Sequence, residues 1–441
     1  MRIRVRAGGE ILLAAICMIA TIALSPARAF EPDEVKAIVR NPASAETYPG
    51  AGGVWLAIER RIEIDGAGNL HGFDHRIARV LDSDWGAEHF SPYVRTYAGE
   101  YQSVRILVAR VWQSVEKFED LPPDAVRHLP SAKTEDAAPY AKIVDLTAEF
   151  PQLEPGSTVE VLTEYYERTR PGDLNVRSFE YLFGAEEPVV EQQLHLSHPA
   201  AFDPAMESLG DSLFFQPKRL GSGRSFDWLT GRLSAQGFRV EDALTSRSPA
   251  PESALPEDTR LTVYAGSVWE YLSGYYGRNW DREIGSGDPD ITLGVGDIVG
   301  DVTGADARVD AIENWVQTEV RTLRLTHQLL GMTPIAPGEI YRAHAGAPRD
   351  KAALMIALLA AVGIRGEPVL VRTRTGPWLR DLAAPEQLDR FLVRVFLPGG
   401  GERWCDPVES ETPLPPSEGL NILMEGSDER GLIPFPGRAG R

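Results

Sequence analysis

The chain has 441 residues, enough for two or three domains at roughly 100 to 200 residues each, and 43% hydrophobic with 25% charged residues is the composition of a globular protein with sizeable cores. A formal net charge of −19 argues against nucleic acid and anionic lipid as partners, since a polyanion is repelled by both. Two cysteines exclude a disulfide-rich scaffold and a cysteine-rich metal site.

The opening stretch, MRIRVRAGGEILLAAICMIATIALSPARAF, places Arg2, Arg4 and Arg6 ahead of an apolar run from Ile11 to Leu24 and closes on Ala27-Arg28-Ala29. This pattern predicts a cleavable secretory signal over residues 1–29, cut after Ala29. A lipoprotein reading needs Cys17 as the modified residue, and Ile16 before it is bulkier than such sites usually accept. An uncleaved anchor is disfavoured by the short apolar run and the small-residue site after it. Cleavage removes four arginines and one glutamate, takes the formal charge to −22 and leaves Cys405 as the sole cysteine. The expected product is periplasmic or secreted, has no intrachain disulfide and keeps no stable membrane insertion.

From Val54 to Asp65, VWLAIERRIEID sets Val54, Leu56, Ile58, Ile62 and Ile64 on one parity, which predicts a half-buried strand. The turn signal DGAGN before HGFDHRIARVL makes a hairpin. Similar stretches recur at YQSVRILVARVW, AKIVDLTAEF, STVEVLTEYYERT, SFEYLF and VVEQQLHLSH, separated by LEPGS and RPGD. Together they predict an antiparallel β-sandwich over residues 30–205. Its aromatic residues suit either a core or a carbohydrate-binding face. His195 and His198 fall on opposite parities until Pro199, which disfavours a metal site. Periodicity then fades, and SRSPAPESALPED predicts a linker or irregular connection over 206–262.

Helical periodicity returns in SVWEYLSGYYGRNW and in DARVDAIENWVQTEVRTL, where Val309, Ile312, Trp315, Val316, Val320 and Leu323 define one apolar face. Ala352 to Val362 is apolar on every side, predicting a fully buried helix that Gly363 ends in the left-handed conformation. EPVLVRTRT, DRFLVRVFLP and GGGERWCDP follow as strand-like segments, giving an α+β domain over 263–441.

The ordered segments GAPRDKAALMIALLAAVGIRGEPVLV, LDRFLVRV and RWCDP resemble the transglutaminase-like domain of the papain-type cysteine superfamily. The β-rich region before them resembles the DUF3857 domain that commonly precedes it in exported bacterial proteins. The resemblance implies a buried central helix packed on an antiparallel sheet, with a helix-opening Gly-Asp-Cys-Lys-Asp-Lys type motif. Here Gly346, Arg349, Asp350 and Lys351 match by identity or charge, Ala347 replaces the acid and Pro348 replaces the nucleophilic Cys. Asp389 matches the residue before the family's His, whose position holds Arg390. Trp404, Asp406 and Pro407 match the Trp-x-Asp-Pro pattern that supplies the acid.

Thiolate chemistry needs a Cys at a helix N-terminus, a His to take its proton and an acid to orient the His. Proline offers no nucleophile, and arginine, with a pKa above about 12, is no base at neutral pH. Pro348, Arg390 and Asp406 are therefore expected to form a degenerate triad, while proline still suits the first helical position because its missing N–H has no intrahelical partner there. Two secondary candidates remain. Cys405 neighbours Asp406, but adjacent strand residues point to opposite faces, and His344 lies four residues before Pro348. No GxSxG, HExxH or Walker motif is present, and abundant carboxylates leave a glycosidase-type pair open. No cofactor or metal is expected. The sequence reading is an exported, catalytically inactive binding or assembly module for an envelope protein or extended peptide, with no nucleic acid partner and an oligomeric state the sequence leaves open. Its rivals are an active hydrolase or acyl transferase using unidentified residues, and an envelope polysaccharide-binding protein.

Overall fold

A bulge decides how the first long strand is used. In the computed structural model, helix α1 (Pro32–Val39) precedes strands β1 (Gly53–Ile64) and β2 (Leu70–Val80), an antiparallel hairpin closed by Asp65, whose carboxylate accepts from the Ala67 and Asn69 amides. The register shifts between Trp55 and Ala57, so parity switches within β1. Val54, Leu56 and Ala57 pack with Val35 and Val39 of α1, while Trp55 and Ile58 face the opposite side. The first half of β1 is thus buried on both faces, where simple alternation predicts one.

The structure describes Phe30 and residues 32–170, 179–182, 185, 187–199, 205–209, 214–220, 223–230, 260–264, 268–285, 287–373, 381, 383–408, 418–421 and 431–434. The expected signal segment, residues 1–29, lies outside them.

Helix α2 (Ser83–Phe90) starts at Asp82, whose carboxylate accepts from the Asp84 and Trp85 amides. Strands β3 (Tyr93–Ala98), β4 (Gln102–Ser114), β5 (Lys117–Asp120), β6 (Val126–Pro130), β7 (Ile143–Ala148) and β8 (Thr158–Glu167) follow. After them come β9 (Phe179–Leu182), β10 (Gln192–Pro199), β11 (Ala205–Leu209), β12 (Phe214–Leu220), β13 (Gly223–Thr230) and β14 (Arg260–Tyr264). An eight-stranded sheet runs β12-β13-β10-β1-β2-β8-β4-β5, antiparallel except for the parallel β1–β10 pair. Two three-stranded sheets run β3-β7-β6 and β11-β14-β9. Trp55, Ile58, Val80, Val111, Val159 and Val161 of the large sheet share a core with Trp85 and Phe90 of α2 and with Tyr93 and Ala148 of the β3-β7-β6 sheet.

Residues 206–262, predicted from composition to be an irregular connection, instead contribute β12 and β13 and most of β11 and β14. Their pairing is supplied by the edge of β10 and by β9, long-range partners that local periodicity does not reveal. The Pro- and Ser-rich SRSPAPESALPED lies outside the described residues.

The second half is helical before it is β. Helices α3 (Trp269–Gly285), α4 (Pro289–Val299) and α5 (Ala305–Glu319) lead to β15 (Arg321–Thr322), α6 (His327–Leu330), α7 (Pro337–Ala343) and β16 (Ala345–Gly346). Next come α8 (Pro348–Ala361), β17 (Arg365–Val371), β18 (Arg390–Phe396), β19 (Glu402–Cys405), β20 (Glu418–Asn421) and β21 (Gly431–Pro434). The last five strands form an antiparallel sheet of order β19-β18-β17-β20-β21. Ala352 through Ile356, Leu358 and Leu359 of α8 are buried, and the helix ends where Ile364 N–H reaches the Leu359 carbonyl across left-handed Gly363. The α8 core also takes in Ala98, Ala137, Tyr140 and Ile143, so the two halves of the chain share one core. The architecture is mixed α+β, with antiparallel sheets dominating the first half and helices the second. No helix among the described residues is long and apolar enough to cross a membrane.

Candidate functional site

Three consecutive charged side chains, Arg349, Asp350 and Lys351, are buried in the first turn of α8. Burial of this kind is tolerated only with full partnering. Lys351 Nζ donates to the Val320 carbonyl at 2.7 Å and to Thr322 Oγ1 at 2.8 Å. Arg349 grips Asp350 through Nε and Nη2 and donates from Nη1 to the Leu330 and Gly331 carbonyls. Asp350 Oδ1 also accepts from the Ile335 amide at 2.9 Å. An acid in this turn gains further from the positive end of the helix dipole.

The remaining partner comes from the other half of the chain. Tyr140 closes a short 3-10 turn (Ala138–Tyr140) between β6 and β7 and is buried. Its hydroxyl accepts from the Ala347 amide at 2.8 Å and donates to Asp350 Oδ2 at 2.5 Å. Burial, reinforced by the Asp350 charge, pushes its pKa well above the ordinary tyrosine value, so the group is a neutral donor. Pro348 sits half-buried at the first helical position and Ala347 at the cap, whose side chain makes no capping bond. Tyr140 thus takes the N–H that the cap leaves open, and proline supplies none. The two halves meet again where Arg170 Nη2 donates to the Leu329 carbonyl at 2.6 Å and where Arg321 donates to the Glu135 carbonyl.

Arg390 and Asp406 meet. Arg390 Nη2 donates to Asp406 Oδ2, and the two side chains keep 14% and 18% of their exposure. Asp406 is further held by Val408 N–H on Oδ1 at 2.9 Å, by its own N–H on Glu313 Oε1 at 3.0 Å and by Gln317 Nε2 on its carbonyl at 2.8 Å. Burial lowers the Arg390 pKa while the neighbouring Asp389 charge opposes that shift, and a guanidinium stays charged regardless. Strand alternation starts Arg390 on the parity of Leu392, which packs with Val369, Val371 and Trp404. Phe391, Val393 and Val395 on the other parity pack against α8. The groups bonding the α8 first turn come from Tyr140, Ile335, Leu330, Gly331, Val320 and Thr322, whereas Asp406 is held by the α5 side chains Glu313 and Gln317.

Cys405 is 1% exposed and belongs to the α8 core, while Asp406 sends its carboxylate to Arg390. Burial, with the nearby Glu313 charge adding to it, pushes the thiol far above its ordinary pKa, the reverse of what a nucleophilic thiolate needs. His344 occupies the left-handed position after α7, exposed, with Nδ1 at 3.2 Å from the Glu319 carbonyl and its ring near Trp315 and Tyr341. His195 Nε2 lies 3.4 Å from Glu59. Among the described residues no group of three or more His, Cys, Asp or Glu side chains could hold a metal ion. Two exposed aromatics of the large sheet, Phe118 and Tyr166, lie far apart on it. Phe118 pairs across β4 to Thr158, eight positions along β8 from Tyr166.

Residues 67–222 match DUF3857, a family described as a domain of unknown function with solved structure. The match begins inside the β1–β2 hairpin and runs through β12, farther than the 30–205 span read from strand periodicity. No curated protein matches the chain. Among solved structures, the chain is similar to a protein from Parabacteroides distasonis described as a putative protease, with 14% identity, 84% of this chain and 69% of that chain covered, and a TM-score of 0.66. At that identity the likeness is one of fold alone. A mutant M1 zinc metallopeptidase from Deinococcus radiodurans bound to a Tyr-Ser-Ala substrate aligns with 13% identity over 48% of this chain and 42% of its own, at a TM-score of 0.26. That value is too low to bear on fold or function.

Tyr140 is the residue that sequence reasoning missed. It lies 207 positions before Ala347 in a segment without periodicity, and only the docking of two halves brings it to the helix. The signal for the rest was present, since Arg349, Asp350 and Lys351 follow Pro348 directly.

Proposed function

We propose that this protein is an exported, non-catalytic binding or assembly module, built from a β-sandwich and a degenerate transglutaminase-like domain, that engages an extended peptide or a protein of the cell envelope. The observation that carries the reading is the closed N-terminus of α8. A thiol protease of this architecture presents its nucleophile there, where the helix dipole lowers its pKa. Here Pro348 has no attacking atom, and the adjacent amide is consumed by the Tyr140 hydroxyl. Arg390 and Asp406 satisfy each other as an ion pair and offer no proton acceptor to a thiol. Cys405, the mature chain's one thiol, is buried with a raised pKa. The resemblance in fold to a protein described as a putative protease supports a peptide as the ligand class, bound rather than cut.

The test uses purified mature protein and a library of unstructured peptides. Binding is measured by fluorescence anisotropy and turnover by mass spectrometry of the same samples. The reading expects saturable binding of intact peptides. Cleaved or cross-linked product, abolished by Cys405→Ala, assigns the protein to the hydrolase or acyl transferase class instead.

A further inference from the structure

We propose that Glu59 is a built receptor for the α-ammonium of Phe30, so that removal of residues 1–29 creates the group that locks the N-terminal segment onto the large sheet. Glu59 lies in the middle of β1 and is 2% exposed. Its Oε1 is occupied by Arg61 Nε at 2.6 Å and faced by His195 Nε2 of β10 at 3.4 Å. Its Oε2 is met by the backbone nitrogen of Phe30 at 3.0 Å. That nitrogen belongs to the residue immediately after the Ala27-Arg28-Ala29 pattern, the position at which the sequence predicts cleavage.

Two more observations show that Phe30 is seated rather than grazing. Its ring lies 5.3 Å from that of buried His75 on β2 and packs on the cluster of Val35, Val39, Val54, Leu56, Ile77 and Trp112. At the other end of α1, Arg79 Nη2 holds the Val39 and Asn41 carbonyls at 2.8 and 3.3 Å. Phe30 on one side of α1 and the Val39 and Asn41 carbonyls on the other are therefore each held by charged side chains of the sheet. Hydrolysis of the Ala29–Phe30 bond consumes one water, leaves a carboxylate on Ala29 and an amine on Phe30, and the amine takes up a proton. A single amide N–H facing Glu59 becomes an ammonium with three donors and a full charge. The amide N–H on a carboxylate is already charge-assisted; the ammonium adds a full positive charge opposite Glu59, so the precursor has the weaker clamp and the processed protein the stronger one.

The experiment compares mature protein exported through its own signal with a variant carrying two extra residues between Ala29 and Phe30, each with and without Glu59→Gln. The α-amine is acylated with an N-hydroxysuccinimide acetate at pH 8, and its rate is read by mass spectrometry of the N-terminal peptide against exposed Lys117. Mature protein is expected to start at Phe30 and to label at least tenfold more slowly than the same protein unfolded in urea. Glu59→Gln is expected to recover most of that factor. The extended variant should label at the unfolded rate and melt below the mature protein, and Glu59→Gln should cost it less than it costs the mature protein, since Glu59 then keeps the Arg61 contact but faces one amide N–H instead of the ammonium. Equal labelling of native and unfolded mature protein, a mature start other than Phe30, or an unchanged melting temperature in the extended variant would each overturn the assignment. The extension leaves Glu59 intact, so the test stands even if Glu59→Gln does not fold.

Discussion

Arg390→Ala is the most informative single change in the second half of the protein. It deletes the guanidinium that Asp406 Oδ2 receives and leaves that carboxylate in a site where its side chain keeps only 18% of its exposure. For a fully buried pair, removing one partner costs about 3 to 5 kcal/mol. Here the residual exposure and the Val408 N–H on Oδ1 soften the penalty, so the value should approach that of a charged hydrogen bond, about 2 to 3 kcal/mol. With a urea slope of about 3 kcal/mol/M, this lowers the midpoint by roughly 0.7 to 1 M. The assay is urea unfolding followed by tryptophan fluorescence, where Trp280, stacked on Phe391 next to Arg390, reports on this part of the molecule. A cycle with Asp406→Asn separates the pair from the packing of the arginine stem, and should give a coupling of at least about 1 kcal/mol. A midpoint unchanged by Arg390→Ala, with coupling below about 0.5 kcal/mol, would refute the reasoning.

Further outcomes follow from the other networks. Tyr140→Phe removes the donor to Asp350 and orphans the buried Ala347 N–H, and should cost about 2 to 4 kcal/mol in the same urea experiment; a loss under about 0.5 kcal/mol would show that the hydroxyl does not hold the two halves together. Glu160 is raised by burial but lowered more by its bonds from His75 and Trp112 and by Arg110, with a net folded-state pKa below the ordinary value. Its contribution is therefore complete above the ordinary carboxylate range near pH ~4.3 and is lost as pH falls through the depressed folded-state value. Glu160→Gln should lower stability at pH 7 and flatten its loss in acid, and a variant with the wild-type acid slope would remove Glu160 from that account.

Much of the fold could be read from local pattern because those elements carry their own instructions. The Asp65 turn and the Gly363 stop are each set by residues within a few positions. The stretch Ala352 to Val362, apolar on every side, predicts burial all round; the structure supplies it to Leu359 apart from half-buried Ala357, while Ala360 and Ala361 in the last turn are exposed. Where the reading fell short, the cause was distant in sequence. The parity switch at Trp55 depends on a bulge that apolar residues on both sides of it conceal. Strands β12 and β13 exist because β10 offers an edge, and β10 pairs in parallel with β1 more than 130 positions earlier. At the candidate site, Pro348, Arg390 and Asp406 were legible as residue types against a family pattern, and Arg390 does pair with Asp406. Tyr140 was not legible, since a tyrosine in APYAK carries no mark of the helix it caps.

The most direct measurement of the central claim is peptide turnover by the purified mature protein, followed before and after Cys405→Ala. The account predicts none above the background of the unfolded protein in either case, because no nucleophile stands at the α8 N-terminus and the thiol is buried in the core. Turnover by the wild type that disappears in Cys405→Ala would contradict it and make Cys405 the nucleophile.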